Sequence, residues 1–281
     1  MEAIDLLHYS VIGEIMSSKI KNFKLFVNEN EKAKMTALSV RKVLENAHFE
    51  YVDSDYDLAI AIGGDGSFLR MVRENDFDEN IYYVGINAGT LGFLQEVKLE
   101  DMEKFIECLR EDNYKIVSLG IQETTIQLEE KSHYFKSLNE IVIRNSQSDT
   151  CHFDIKIDDR LLEHYAGDGM LISTSAGSTA YNLSFGGSIV FDDFHTLQLT
   201  PIAPLNSKVY SSLRNSLIIP ENKTVTILPR SKKNEFLITV DGCNYPFTNI
   251  QKVDTVVDQK RIRVLRFSNQ FVDKVHDKFL K

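Results

Sequence analysis

The sequence predicts an α/β domain followed by a mainly β domain, because the spacing of its apolar residues changes along the chain. Through residue 112, short apolar runs alternate with amphipathic stretches of helical period, which is typical of a parallel sheet covered by helices. After residue 115 the period becomes 2, as expected of half-buried strands, until the last segment returns to helical spacing. These changes predict an α/β domain at 1–115, a β-rich domain at 116–266 and a closing helix at 267–281.

The predicted parallel sheet begins with a short apolar strand, FKLFVN, at 23–28. In the helix that follows, the apolar residues of 37–47 recur at helical spacing, and Asn28 or Asn30 is its predicted cap. The next run, DLAIAI at 57–62, is too continuously apolar for a half-exposed strand. It is therefore predicted to lie in the middle of the sheet.

The same alternation continues to the end of the first domain. Helices at 67–75 and 99–112 flank the buried strand IYYVGI at 81–86. Residues 1–20 carry no helix start signal. They are predicted to be an N-terminal extension, with no structure assigned to it.

The second half of the chain is read as strands joined by turns. HFDIKI and RLLEHY alternate on either side of a predicted turn at Asp158 and Asp159. The closing helix carries Phe271, Val275 and Phe279 at i, i+4 and i+8. That spacing is typical of a helix.

The composition argues against several classes of protein. A net charge of −9 leaves no basic surplus to replace the counterions of a nucleic acid or to bind an anionic membrane. The longest apolar runs span about six residues, whereas a membrane helix needs about 20, and the acidic N-terminus differs from a signal peptide. Cys108, Cys151 and Cys243 are too widely spaced for a zinc site or a disulfide framework, so reduced thiols in a cytoplasmic protein are expected.

Glycine marks the segments where a ligand is expected. Eleven of the 14 glycines lie at 63–92 and 167–187, and glycine in ordered structure is costly unless the backbone needs unusual dihedrals or a close approach. In IGGDGSF (62–68), three glycines surround Asp65 at a strand-to-helix junction, where unpaired N–H groups and the helix dipole favour phosphate. An acid there is repelled unless it binds Mg²⁺ shared with the phosphates or accepts a proton from an attacking hydroxyl. Both roles indicate phosphoryl transfer onto an alcohol.

Neither the P-loop pattern GxxxxGKS/T nor GxGxxG is present. Six motifs occur instead in a fixed order: GGDG (63–66), INAGTLGFL (86–94), LNE (138–140), GDGMLISTSAGSTAYNLSFGG (167–187), LTPIAP (199–204) and VDG (240–242). This ordered set, over roughly residues 23–281, resembles the bacterial NAD kinases. Those enzymes use ATP or polyphosphate to phosphorylate the 2′-hydroxyl of the adenosine ribose of NAD, giving NADP. The resemblance implies a Rossmann-like first domain, a β-rich second domain, and a last helix that returns to the first.

The resemblance also implies a role for each matching residue. Asp65 is the general base beside the ribose hydroxyl, and Mg²⁺ is expected through the donor phosphates, with Asp65 or Glu140 able to add a ligand. The donor phosphates face a loop of four residues, namely Gly63, Gly64, Gly66 and Ser67. The implied NAD contacts are Gly66 beside the ribose; Phe93, Leu94, Asn139, Thr179 and Ser184 at the adenine; Ala180 and Tyr181 at the adenosine ribose; Asp168 at the nicotinamide end; and Glu140 and Asp241.

The family resemblance further implies a homo-oligomer, a dimer or tetramer, in which Asp241 reaches the ribose from a neighbouring subunit in some members. Two departures from the common pattern affect the implied contacts. Ser175 and Ala176 stand where many relatives have proline and a hydroxyl residue, and Cys243 stands where glutamine is frequent.

Two other functions share part of this pattern. GGDG alone also occurs in diacylglycerol-type lipid kinases and in 6-phosphofructokinases, so a lipid or sugar-phosphate kinase is the alternative enzyme. A dinucleotide sensor without turnover is the alternative that is not an enzyme. Single residues also have purely structural alternatives: Phe93 as a core residue, LNE as a strand-end turn, and Asp241 with Gly242 as a hairpin turn.

Overall fold

The structure is a computed structural model that describes residues 19–89, 92–147, 149–208, 211–267 and 271–280. Residues 1–18 of the predicted N-terminal extension lie outside the described residues. Within these ranges, no helix is long and apolar enough to cross a membrane.

The first half of the chain alternates strands and helices, as predicted. Asn30 caps the first helix, because its Oδ1 accepts the N–H of Ala33 at 2.8 Å. A 3₁₀ turn at Leu99–Asp101 leads into the third helix. The elements are β1 (Asn22–Val27), α1 (Glu31–Asn46), β2 (Glu50–Tyr51), β3 (Leu58–Gly63), α2 (Asp65–Glu74), β4 (Tyr82–Asn87), β5 (Val97–Lys98) and α3 (Met102–Arg110).

β3 is the central strand that its apolar run predicts. It pairs in parallel with β1 on one side and with β4 on the other. Leu58, Ile60 and Ile62 pack in the core beneath α1 and α3, whereas Ala59 and Ala61 pack in the core beneath α2. Since helices cover both faces, a strand without polar side chains is the stable choice at this position.

The second half of the chain is mainly β, also as predicted. The predicted turn at Asp158 and Asp159 joins two antiparallel strands, and both residues adopt the left-handed conformation of a two-residue hairpin, with φ of 47° and 64°. The elements are β6 (Lys115–Gln127), β7 (Ser132–Ser137), β8 (Glu140–Asn145), β9 (Cys151–Ile157), β10 (Arg160–Gly167), β11 (Gly169–Thr174), α4 (Tyr181–Ser184), β12 (Thr196–Ile202), β13 (Leu217–Pro220), β14 (Val225–Pro229), β15 (Glu235–Val240), β16 (Cys243–Thr248), β17 (Lys252–Arg266) and α5 (Phe271–Phe279).

The two halves of the chain share one sheet, which the sequence pattern does not predict. β17 pairs antiparallel with β6 and β14, and near its end it runs parallel to β4 through Arg263 and Val264. The result is an 11-stranded sheet that contains β1–β5 together with β6, β7, β9, β10, β14 and β17. β17 therefore ties the parallel strands to the antiparallel ones.

The other six strands form an antiparallel sheet in the order β13-β12-β11-β8-β15-β16. It packs on the β9, β14 and β17 part of the large sheet. The core between the sheets contains, among others, Phe153 and Ile155 of β9, Ile172 of β11 and Ile238 of β15. These residues alternate along their strands with outward-facing ones, as the period of 2 predicts.

α5 returns to the first half of the chain, as predicted. Phe271 and Phe279 contact Phe93, which follows β4, and Lys274 pairs with Glu96. The helix begins at Phe271; residues 268–270 lie outside the described residues. The end of the chain is thereby brought to the carboxyl ends of β3 and β4, where ligands bind in open α/β sheets.

Candidate active site

Asp65 is the first residue of α2, directly after β3. Both of its carboxylate oxygens are held by backbone amides: Oδ2 accepts the N–H of Phe93 at 3.0 Å, and Oδ1 accepts the N–H of Leu94 at 2.9 Å. The Nζ of Lys278 lies 3.8 Å from Oδ2, and the Asp65 side chain remains 30% exposed. The carboxylate is therefore fixed in orientation but still reachable from solvent.

The glycines around Asp65 fall into two groups. Gly63 has a φ of +148°, and a Cβ at this position would overlap the buried Ser67 side chain. A Cβ at Gly92 would overlap the Asp65 carboxylate itself. At Gly64 and Gly66, in contrast, a Cβ would meet nothing within 4 Å. Two glycines thus make the local packing possible, and two leave open space at the N-terminus of α2.

Phe93 is enclosed by α5. It is 7% exposed, with its ring centroid 5.9 Å from that of Phe271 and 5.5 Å from that of Phe279, the latter stacked at 23°. Lys278 lies over the ring at 5.1 Å from its centroid. Leu94 is buried in the core beneath α2. Phe93 is therefore a packed residue in this structure, which agrees with its structural alternative, and its contact with adenine stays a prediction.

The LNE segment is hydrogen-bonded to the end of β11 and lies in close contact with Gly177, the first residue of GSTAYN. The carbonyl oxygen of Asn139 accepts the N–H of Thr174 at 2.9 Å and the hydroxyl of Ser173 at 3.3 Å. A Cβ at Gly177 would overlap this same Asn139 carbonyl. The side chain of Asn139 is buried, and its Oδ1 accepts no hydrogen bond from the part of the chain that is described. A buried amide oxygen without a donor is a place where a ligand N–H fits.

Asp241 braces the LNE segment from within the same chain. It lies with Gly242 in the hairpin turn between β15 and β16, with φ of 43° and 79°, as the turn alternative predicts. Its carboxylate accepts the N–H groups of Leu138 and Asn139, each at 2.8 Å, and of Glu140 at 3.2 Å. Because these three amides occupy the buried carboxylate, its proposed contact with the ribose stays a prediction.

Glu140 and Asp241 are two buried carboxyl groups whose pKa values are both raised by burial. Burial, and secondly the charge of Asp241, raise the pKa of Glu140 to about 8, while the N–H of Tyr181 opposes the shift. Burial also raises the pKa of Asp241, but three backbone amides and Arg73 oppose it. With a pKa of about 8, Glu140 holds a proton at neutral pH. Its Oε2 has no hydrogen-bond partner in the described residues, so a protonated Glu140 is free to donate to a ligand.

The Glu140 proton predicts a pH dependence of stability. The folded-state pKa of about 8 lies above the ordinary value of 4.5 for a glutamate, so the folded protein binds more protons between these values and loses stability as pH rises through them. Glu140→Gln is expected to remove roughly 1–3 kcal/mol of that loss between pH 5 and pH 8. Urea denaturation of the parent and of Glu140→Gln at these two pH values measures the change in the free energy of unfolding. Glu129→Gln, at an exposed turn, is the control, and an unchanged pH slope in Glu140→Gln would contradict the assignment.

The remaining predicted residues are spread over a wider area. Tyr181 begins α4, is 36% exposed, and lies against Arg144 of β8, whose Nη1 is 3.4 Å from the phenol oxygen. Thr179 shares a narrow cavity with Phe93 and Leu94, which brings the GST loop (residues 177–179) beside the loop whose amides hold Asp65. Ala180 is partly buried and Ser184 is exposed. Asp168 lies at the exposed corner between β10 and β11, where its backbone contacts Cys151 and Ile202.

Several residues near the site were missed by the sequence interpretation. Lys274 and Lys278 of α5, together with Glu96 and Arg266, surround the loop that holds Asp65. The only sequence signal is that Lys274 and Lys278 lie one helical turn apart. Which surface that turn faces is set by packing across the fold.

The described residues contain no group of three or more His, Cys, Asp or Glu side chains able to hold a metal ion. Glu140 fits a metal poorly, because it is buried and protonated at neutral pH. Asp65 is the better candidate, since it keeps lone pairs beyond the two that its backbone donors use. A Mg²⁺ that arrives on substrate phosphates and takes one protein carboxylate agrees with this set.

Comparison with known proteins gives the same family for both halves of the chain. Residues 5–114 match the ATP-NAD kinase N-terminal domain, and residues 138–265 match the ATP-NAD kinase C-terminal domain. The NAD kinase of Finegoldia magna is 38% identical over 274 residues, which are 94% of this chain and 100% of that protein. The NAD kinase of Streptococcus pneumoniae is 32% identical over 94% of this chain and 98% of its own.

A solved structure has the same fold. The crystal structure of yeast NADH kinase complexed with NADH superimposes with a TM-score of 0.79, covering 93% of this chain and 87% of that one, at 20% sequence identity. The α/β first half, the mainly β second half and the returning terminal helix are therefore a shared architecture.

Proposed function

This chain belongs to the NAD kinase family, so it is an ATP-using NAD kinase, and from that premise we propose that Asp65 is the general base for the ribose 2′-hydroxyl. The observation that supports this role is the fixation of both Asp65 oxygens by the amides of Phe93 and Leu94 while the side chain stays 30% exposed. An ionised carboxylate offers about four lone-pair sites. Two remain after the amides are counted, and one of them accepts the substrate hydroxyl.

The reaction uses this geometry as follows. The 2′-oxygen of NAD attacks the terminal phosphorus of ATP, the bond from that phosphorus to the bridging oxygen breaks, and Asp65 takes the hydroxyl proton. ADP leaves, and the product is NADP. The open space at Gly64 and Gly66 lets the polyphosphate approach the first N–H groups of α2, whose dipole favours an anion.

We further propose that the dinucleotide lies along the surface formed by LNE and GSTAYN. Asn139 offers an unpaired buried oxygen, protonated Glu140 offers a donor, and Tyr181 offers a partly exposed ring. These are the groups that a nucleotide with an amino-bearing base and ribose hydroxyls can use. The other residues expected to contact NAD are kept as its proposed neighbours: Phe93, Leu94, Thr179, Ala180, Ser184, Asp168 and Asp241.

Three finer points are also proposals. Mg²⁺, when bound to the donor phosphates, supplies the positive charge that offsets their repulsion of Asp65. A dimer or tetramer is proposed on the family resemblance, and a cytoplasmic location is supported by three free cysteines, Cys108, Cys151 and Cys243.

The activity and its metal are tested together. Purified protein with NAD, ATP and Mg²⁺ is expected to form NADP, read with an NADP-specific dehydrogenase. Excess EDTA is expected to lower the rate by about 100-fold or more, since the uncompensated phosphates then meet a carboxylate, and added Mg²⁺ is expected to restore it. A control omits NAD and offers a diacylglycerol. Lipid phosphorylation without NADP formation would contradict the assignment, and full activity in EDTA would contradict the metal.

A further inference from the structure

Lys274 is a buried cation that the reaction above does not use. Its side chain is 6% exposed, and its Nζ donates to Glu96 Oε2 at 3.1 Å and to the backbone carbonyl oxygen of Phe93 at 3.2 Å. Burial lowers the pKa of Lys274 and Arg266 lowers it further, while the carboxylates of Glu96 and Asp192 oppose the shift. The ion pair with Glu96 compensates the buried charge. The second hydrogen bond, to Phe93, needs a separate explanation.

The carbonyl that Lys274 holds belongs to the peptide group whose N–H is that of Leu94. This N–H donates to Asp65 Oδ1, and the N–H of Phe93 donates to Oδ2. An ammonium on the carbonyl oxygen polarises the peptide group and strengthens its N–H as a donor, because linked hydrogen bonds reinforce one another. One peptide group thus connects the buried ammonium of Lys274 to the carboxylate of Asp65.

The loop that contains this peptide group needs such an anchor. Gly92 precedes it and has no side chain to pack, since a Cβ there would overlap Asp65. Glu96 follows it and is itself held, by the N–H of Phe267 at 3.0 Å and by Arg266 at 3.4 Å. Lys274 links the peptide group to this buried ionic cluster, which includes Asp192 through Arg266.

We infer that Lys274 is a positioning residue for Asp65: its ammonium fixes the Phe93–Leu94 peptide group so that two backbone N–H groups orient the carboxylate. The inference rests on the proposed role of Asp65 as the base. It assigns to the terminal helix a part in the reaction, beyond covering the first half of the chain. It also explains why this helix places a cation in a buried position, where an apolar residue would pack at lower cost.

Three variants test the inference. Lys274→Met removes the ammonium but keeps an unbranched side chain, and is expected to lower kcat by about 10-fold with the KM for NAD changed by no more than about 2-fold, because a misaligned base affects the transition state. Lys274→Arg keeps a donor for the Phe93 carbonyl and is expected to stay within about 3-fold of the parent in kcat. Glu96→Gln, the matched control, breaks the ion pair but leaves the Lys274 Nζ as a donor to the carbonyl, so its kcat loss is expected to be smaller than that of Lys274→Met.

A second measurement does not depend on activity. Amide hydrogen exchange in segment 92–95 is expected to be faster in Lys274→Met than in Glu96→Gln, since the amides of Phe93 and Leu94 lose their fixed position. If Lys274→Met does not fold, because Glu96 is left buried without that partner, the double variant Glu96→Gln/Lys274→Met replaces it and is judged by the same values.

Parental kcat and parental exchange in the variant without the ammonium would overturn the inference. So would a loss in Glu96→Gln as large as in Lys274→Met, because the ion pair would then explain everything. The Asp65→Asn variant is assayed in parallel with the Lys274 variants. Near-normal turnover of Asp65→Asn would refute the base itself, whereas an inactive Asp65→Asn with an unaffected Lys274→Met would refute only the positioning role.

Discussion

Asp65→Asn is expected to lower kcat for NADP formation by about 100-fold or more while the affinity for NAD changes little, the usual scale for loss of a general base. Asparagine has nearly the shape of aspartate but cannot take the proton of the 2′-hydroxyl. The asparagine side-chain oxygen still accepts a hydrogen bond from one of the two backbone amides of Phe93 and Leu94. Its NH₂ group faces the second amide and cannot accept from it. Initial rates by a coupled NADP assay and NAD binding by calorimetry measure the two quantities separately.

The matched control for this variant is Asp159→Asn. It makes the same chemical change at an exposed turn residue with a φ of 64°, a conformation that asparagine tolerates. Its activity and stability are expected to equal those of the parent. If Asp65→Asn retained near-parental kcat, another group would have to accept the proton, and the proposed role of Asp65 would be wrong.

Gly177→Ala is expected to have the second largest effect, on NAD binding and on folding together. The added Cβ would overlap the backbone carbonyl of Asn139, which is held by Thr174 and Ser173 and cannot rotate away as a side chain can. Overpacking of this kind costs about 1–3 kcal/mol. Because the strain falls between LNE and the GST loop, we expect the KM for NAD to rise by roughly 10-fold or more, equivalent to about 1.4 kcal/mol.

Urea denaturation and steady-state kinetics at varied NAD measure these two effects. Gly89→Ala is the control for stability, since a Cβ there meets nothing within 4 Å and no left-handed conformation is required. Gly89→Ala is expected to be at least as stable as the parent. A Gly177→Ala protein with parental stability and parental KM would show that the two segments tolerate separation, and that their close contact has no role in NAD binding.

The sequence alone predicted features that depend on neighbours along the chain. The continuous apolar run at 57–62 predicted a central strand, because a strand covered on both faces has no use for polar side chains. Asn30 was one of two named caps, and the turn at Asp158 and Asp159 followed from local turn chemistry. The glycines around Asp65 predicted a strand-to-helix junction, and the ordered motifs predicted the family. Each of these predictions is confirmed.

The tertiary structure decided the contacts between distant segments. Asp241 lies 103 residues from Leu138, and Lys274 lies 181 residues from Phe93. No periodicity or turn rule relates such positions. The sequence therefore assigned Asp241 to a ligand, where the structure also uses it to hold three backbone amides, and it left Lys274 unassigned. Phe93 was assigned to adenine, a contact that stays a prediction, and its packing under α5 was not foreseen.

The physical reason is that secondary structure and tertiary packing provide partners for different polar groups. Strand and helix periods, caps and hairpin turns satisfy the backbone locally, so residues a few positions apart reveal them. A buried charge or a carboxylate with a fixed orientation takes its hydrogen-bond partners from whichever groups the folded chain brings within reach. The sequence by itself predicted an NAD kinase with an α/β half and a mainly β half, and it named Asp65 as the base, a role that stays a proposal. Only the packing of β17 and α5 against the first half decided which groups lie against the loop whose amides hold Asp65.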